Sequence, residues 1–122
     1  MVKSISVRDV LIVNFPKQSP SGCEQQGRRP AVVITLPRLT GVIRYQVIVV
    51  APMTTKSGDW VIQNPSLYPC LAAGVANLPL DSIVLLDQLR CLDIKRILAY
   101  QGTLTPEEYQ PIADGLKVML RL

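Results

Sequence analysis

The sequence contains no histidine, and this absence constrains its chemistry more than most residues present do. Histidine is the usual general acid or base near neutral pH and the commonest metal ligand. Serine–histidine triads, cysteine–histidine dyads and histidine-paired nuclease sites are therefore excluded within one chain. Any catalysis falls to Arg, Lys, Asp, Glu, Thr, Ser, Tyr or a thiol. Cysteine is also sparse. Cys23, Cys70 and Cys91 form an odd set without a C-x-x-C pair, so neither a disulfide framework nor a zinc site is indicated. Three reduced thiols, at least one of them buried, are expected, with no metal or cofactor. Aromatic residues make up 5% of the chain, too few for a row of surface aromatics. No long apolar run exists either: the longest, Val47 to Met53, is far too short to cross a bilayer. The opening "MVKSISVRDV" lacks the apolar stretch and cleavage site of a secretory signal. The expectation is a soluble, cytoplasmic protein without a membrane partner.

What is present fits one domain, residues 1–122, with one core. A hydrophobic content of 48% argues against disorder. The net charge of +4 is a mild excess, compatible with a polyanionic partner. Short apolar runs cut by Pro, Gly and Asn read as mainly β. The runs predict strands at Val10–Phe15, Ala31–Thr35, Tyr45–Ala51, Trp60–Gln63, Ser82–Leu86 and Ile97–Gln101. The second and third, rich in Val and Ile with little alternation, are expected to be buried on both faces. Six short strands in so small a chain suggest a partly closed barrel or a strongly curled sheet.

The C-terminus reads differently. "TPEEYQPIADGLKVMLRL" opens on Thr105 as an N-cap, Pro106 at the first helical position and Glu108 completing a capping box. Tyr109, Ile112, Leu116, Met119 and Leu120 fall on one face, which predicts a helix covering the sheet. Pro111 is expected to kink it and Gly115 to weaken it. The stretch Pro65 to Pro79 is compatible with a helical turn or with irregular chain.

Three segments could carry chemistry. In the first, "GCEQQGRRPAVVI", the long loop Pro16–Arg28 delivers Glu24, Gln25, Arg28 and Arg29 to the start of a buried strand. Pro30 restricts Arg29 to extended backbone, a suitable mount for a phosphate-directed fork. A solvated loop with a snorkelling arginine is the competing reading. In the second, "APMTTKSGD", a buried strand runs out at Pro52 into Thr54, Thr55 and Lys56, whose hydroxyls can meet an anion or close a turn. In the third, "LPLDSIVLLDQLRCLDIKRI", Asp87 and Gln88 follow an apolar strand, either near the barrel mouth or as an ordinary strand end.

Together these segments resemble the MazF/PemK family of type II toxin–antitoxin toxins, over nearly the whole chain. "GCEQQGRRPAVVI" is similar to the family's G-x-E-Q-x-G-x-R-P signature, "VIVVAPMTTK" to its strand-and-threonine motif, and "LPLDSIVLLDQLRCLDIKRI" to its third motif. The resemblance implies a mainly β (α+β), SH3-like partly closed barrel with helical additions and a C-terminal helix. It implies a homodimeric, metal-independent endoribonuclease that cleaves single-stranded RNA to a 2′,3′-cyclic phosphate and a 5′-hydroxyl. A cognate antitoxin would occupy the RNA groove, with DNA contacted only through the antitoxin complex. The family's catalytic arginine and threonine correspond here to Arg29 and Thr54. Glu24, Gln25, Asp87 and Gln88 match positions lining the groove or the active site, and Arg28 and Lys56 accompany them. Three departures stand out. Cys23 replaces a common serine, and Leu85 replaces a catalytic arginine found in some PemK-type members. "VRD" replaces the usual R-G-D near the start.

The chemistry is coherent without histidine. A preorganised guanidinium and hydroxyl can stabilise the charge that gathers on phosphorane oxygens. Arg29 is an implausible base at an unperturbed pKa above ~12, so Glu24, Asp87 or water remains for proton transfer. Phe15 and Tyr45 are candidates for base stacking, with core burial expected for Phe15. The competing functions are a non-catalytic poison on the same scaffold, resembling the gyrase-binding toxin CcdB, and an inactive SH3-like binding module.

Overall fold

The computed structural model describes residues 4–20 and 22–122. Its strands are β1 (Asp9–Phe15), β2 (Gly27–Thr35), β3 (Val47–Thr54), β4 (Cys70–Leu71), β5 (Ser82–Val84), β6 (Arg90–Asp93) and β7 (Ile97–Thr103). Two α-helices, α1 (Asp59–Gln63) and α2 (Pro106–Leu120), complete it with a few single 3₁₀ turns.

All seven strands belong to one curled antiparallel sheet in the order β4-β5-β3-β2-β1-β7, with β6 also on β3. One 3₁₀ turn, Ile94–Arg96, carries the chain from β6 to β7. Because β6 lies against β3 and β7 against β1, that turn brings the ends of a five-strand array together as a partly closed barrel. Its interior is filled by Leu11, Val13, Phe15, Ala31, Val33, Ile48, Val50 and Leu92. The other face of the sheet packs Val10, Val32, Ala51, Met53 and Val84 against Ile112 and Leu116 of α2. The Val/Ile runs in β2 and β3 are buried on both faces because alternate residues feed these two cores.

The helix α2 forms as its sequence dictates. Thr105 accepts from the Glu108 N–H at 3.1 Å, and the Glu108 carboxylate accepts from the Thr105 N–H at 2.8 Å. The helix continues through Pro111, which is exposed, so the carbonyl that loses its partner faces water. Leu120, placed by periodicity on the covering face, is 48% exposed in the last turn.

Several expectations need correction. The predicted strand Trp60–Gln63 is the helix α1, closed by the Asn64 N–H on the Trp60 carbonyl at 3.2 Å. Its Val and Ile favour strands, but only Val61 is buried, so no pleated face exists for them to fill. All three cysteines are exposed, none buried. The stretch Pro65–Pro79 holds β4 and a 3₁₀ turn, Val75–Asn77. The glycine missing from "VRD" leaves a conformational mark. Arg8 takes φ 77°, the region that favours glycine, while its guanidinium donates to the Leu104 carbonyl at 2.9 Å.

Candidate active site

β2 begins earlier than its apolar run, at Gly27, so the two arginines are strand residues. Arg28 pairs with Asn14 and Arg29 with Val13 of β1. On the other side, the β2–β3 ladder runs Val33 with Val50, Val32 with Ala51 and Ala31 with Pro52, where it ends. Pro30 and Pro52 have no N–H to extend it. Continuing that register two residues sets Arg29 level with Thr54, on the same face by strand alternation. The two strands part where these side chains lie.

On the far side of β3, Thr54 pairs with Ile83 and Met53 with Val84. The Leu85 N–H then donates to the Pro52 carbonyl at 2.9 Å. This bond brings the turn Leu86–Gln88 to the end of β3, with Leu86 buried as its anchor. Between these elements lies an open cavity of about 470 Å³, lined by Gln25, Thr54, Lys56, Leu85, Asp87 and Gln88 together with Ser57, Trp60 and Tyr68. One residue set from each of the three segments thus meets in one concavity. Glu24 lines an adjoining hollow of about 260 Å³ with Asp87, Gln88 and Arg90. Arg29 does not line the first cavity, though the register sets it level with Thr54, which does, and Arg28 is exposed beside the strand edge.

The hydrogen bonds give each residue a more specific part. Thr54 Oγ1 accepts from the Lys56 N–H at 3.2 Å, so the hydroxyl closes a turn and keeps its own proton to donate. Arg29 donates from Nε to the Gln26 carbonyl at 3.1 Å, which fixes the plane of its fork. Gln88 binds the loop at both ends of its amide: Oε1 accepts from the Gln25 N–H at 2.7 Å, and Nε2 donates to the Cys23 carbonyl at 3.1 Å. The side chain mimics a strand partner, and Gln88 therefore holds the loop that leads into β2.

Sequence reasoning missed Trp60 and Tyr68. Trp60 and Tyr68 meet edge to face, with ring centroids 4.7 Å apart and planes at 80°. The Tyr68 hydroxyl donates to Asp87 Oδ2 at 2.8 Å. That bond, with desolvation and the carboxylate's charge behind it, pushes the Tyr68 phenol above its ordinary value. Arg90 stacks its guanidinium over the Phe15 ring at 5.3 Å, and Phe15 is buried as expected. A lone tryptophan in an aromatic-poor chain was the available signal for the first of these. Tyr45, the other stacking candidate, is exposed but carries Arg44 over its ring and does not line the cavity.

Residues 6–120 match the family described as PemK-like, MazF-like toxin of type II toxin–antitoxin system. The chain belongs to that family. No curated protein matches it significantly. Among solved structures, this PemK/MazF-like toxin resembles MazF (Form-I) from Deinococcus radiodurans with TM-score 0.76 and 22% identity, over 99% of this chain and 100% of that one. It also resembles an endoribonuclease in complex with its cognate antitoxin from a mycobacterial species, with TM-score 0.64 and 19% identity, over 96% and 94%. A MazE–MazF complex (Form-II) from Deinococcus radiodurans aligns with TM-score 0.69 and 23% identity, over 97% and 96%. At these identities the likeness establishes a shared fold. No helix among the described residues of the PemK/MazF-like chain is long and apolar enough to cross a membrane.

Proposed function

We propose that this toxin is a metal-independent endoribonuclease acting on single-stranded RNA, with Arg29 and Thr54 as its catalytic pair. The observation that carries the proposal is the strand register. It sets an arginine fixed at Nε level with a threonine whose hydroxyl proton is unclaimed by the turn, beside an open cavity.

In this reading the RNA 2′-hydroxyl gives its proton to water or a nearby carboxylate as its oxygen attacks the adjacent phosphorus. The P–O5′ bond breaks, and the departing O5′ takes a proton from water, leaving a 2′,3′-cyclic phosphate and a 5′-hydroxyl. Negative charge grows on the non-bridging oxygens in the transition state. The amino ends of Arg29 and the Thr54 hydroxyl would donate to those oxygens, and they need no reorganisation to do so. Lys56, on the cavity wall, supplies a further positive charge for the backbone. Gln25, Glu24, Asp87 and Gln88 shape the groove, and Arg28 adds charge at its exposed edge. The complexes of relatives with antitoxins support a cognate antitoxin as the natural partner, and in this reading it covers the groove. A homodimer and a cytoplasmic setting complete the proposal.

Arg29→Ala tests it. Removing one such donor is expected to slow cleavage about a hundred- to a thousandfold. Initial rates on a long single-stranded RNA, with the fold checked by circular dichroism, give the answer. Wild-type rates in the variant would remove Arg29 from the mechanism.

A further inference from the structure

We propose that Trp60, Tyr68 and Asp87 form a nucleobase subsite that takes an unpaired base bearing an exocyclic amino group in preference to uracil. The inference rests on the RNA-directed reading of this cavity and adds what the cavity selects.

Trp60 is 36% exposed and lines the cavity beside Tyr68, so an aromatic face is presented where a flexible strand would pass. Bases of single-stranded nucleic acid stack on such faces regardless of sequence. Two features hold the pair in place. A Cβ at Gly58 would lie 2.6 Å from the Trp60 indole nitrogen, so glycine there allows the ring to fold back on its own backbone. Tyr68 packs against Val61, Ile83 and Leu85, a small apolar cluster separate from the two main cores.

Selectivity comes from the polar edge. Asp87 takes the Tyr68 hydroxyl on Oδ2, which orients the carboxylate and leaves acceptor capacity on the group. The neighbouring amide of Gln88 is engaged with the loop at both ends. Among the groups lining the cavity, Asp87 is the one hydrogen-bonded to the aromatic pair. The polar group set beside a stacked base is therefore an acceptor, and it suits the amino groups of cytosine, adenine or guanine. Uracil has no amino group, and carbonyl oxygens that the carboxylate repels flank its N3–H.

The chain has one tryptophan, so Trp60 reports on its own subsite. The experiment titrates the full chain with end-labelled oligo-dC, oligo-dA and oligo-dU, which lack the attacking 2′-hydroxyl and are not consumed. Binding is read by anisotropy and stacking by quenching of Trp60 emission. The expected result is quenching by dC or dA at concentrations about five- to 150-fold lower than by dU. Asp87→Asn, which offers an amide donor to uracil, should erase that preference. Trp60→Ala should weaken binding about five- to 150-fold, and Trp60→Phe should retain most of it. Equal affinity for all three oligomers, or no binding at millimolar concentration, would overturn the proposal. Binding without a change in Trp60 emission would overturn it too, and leave the aromatic pair to a protein partner. Cleavage of an RNA covering all short contexts, run in parallel, separates the two claims. Cleaved RNA with no base preference sinks the subsite alone, and base-selective quenching without cleavage sinks the nuclease alone.

Discussion

A guanidinium tethered at Nε to the Gln26 carbonyl gives one donor to the protein and keeps its two amino ends as further donors. Arg29 owes this to its place on β2, where pairing with Val13 fixes the backbone. Tyr68 illustrates the converse, a polar group held neutral by its neighbour. Its phenol is raised above 10.0 by the Asp87 hydrogen bond, and Tyr109 is raised above 10.0 by burial against an opposing effect of Arg8. A raised folded-state pKa means that the fold binds the phenolic proton more tightly than the unfolded chain does. The associated stability is fully present below pH about 10 and is lost as pH climbs through the raised values. Urea midpoints should therefore fall as pH rises above about 10, and fall less in Tyr68→Phe and Tyr109→Phe. Identical pH profiles in wild type and variants would contradict this assignment.

Among the elements, the turn Leu86–Gln88 has the widest reach. It is anchored by Leu86 in the core under α2, and its Gln88 amide clamps Cys23 and Gln25. Each clamp bond is worth about 0.5–1.5 kcal/mol net, small against the whole fold but decisive for an otherwise solvated loop. Gln88→Ala should therefore loosen Pro16–Gln26 locally. Limited trypsin digestion should cut after exposed Lys17 several times faster in the variant. An unchanged cutting rate would mean that the loop is held by other contacts. The helix α1 makes a related point about scale. Five residues are too few for a helical period to show, and "DWVIQ" carries the β-branched residues of a strand. It is helical as a single closed turn, with the Val61 N–H on the Gly58 carbonyl and the Asn64 N–H on the Trp60 carbonyl, each at 3.2 Å.

At the scale of the whole molecule, α2 docks on the turn Leu86–Gln88 and the segment around Ser66 through a close approach at Gly115. A Cβ there would run into the Ser66 carbonyl and lie 2.6 Å from Leu86. Gly115→Ala gains about 1 kcal/mol of helix propensity, yet the clash with backbone should outweigh it and lower the urea midpoint. A more stable variant would show that the segment around Ser66 yields. The same position shows what sequence could and could not reveal. Gly115 reads locally as a weak point in an amphipathic helix, because its partner lies 49 residues away in a stretch with no periodicity. The long β1, β2, β3 and β7 and the capped α2 were legible, since their cores impose apolar runs and Thr105–Glu108 marks the helix start. β6 was not, because Leu92 is the one buried residue of "RCLD" and its pairing with β3 is non-local. At the site, the family motifs pointed to Arg29, Thr54, Asp87 and Gln88. Trp60 and Tyr68 escaped because neither belongs to a motif and their contact joins two segments with no readable pattern.

The central claim is RNA cleavage by this chain alone. Its most direct test is incubation of the purified chain with a long single-stranded RNA in EDTA, followed by mapping of the fragment ends. Discrete fragments ending in 2′,3′-cyclic phosphate and 5′-hydroxyl are predicted. Intact RNA across all short sequence contexts, or cleavage only after divalent metal is restored, would contradict the account.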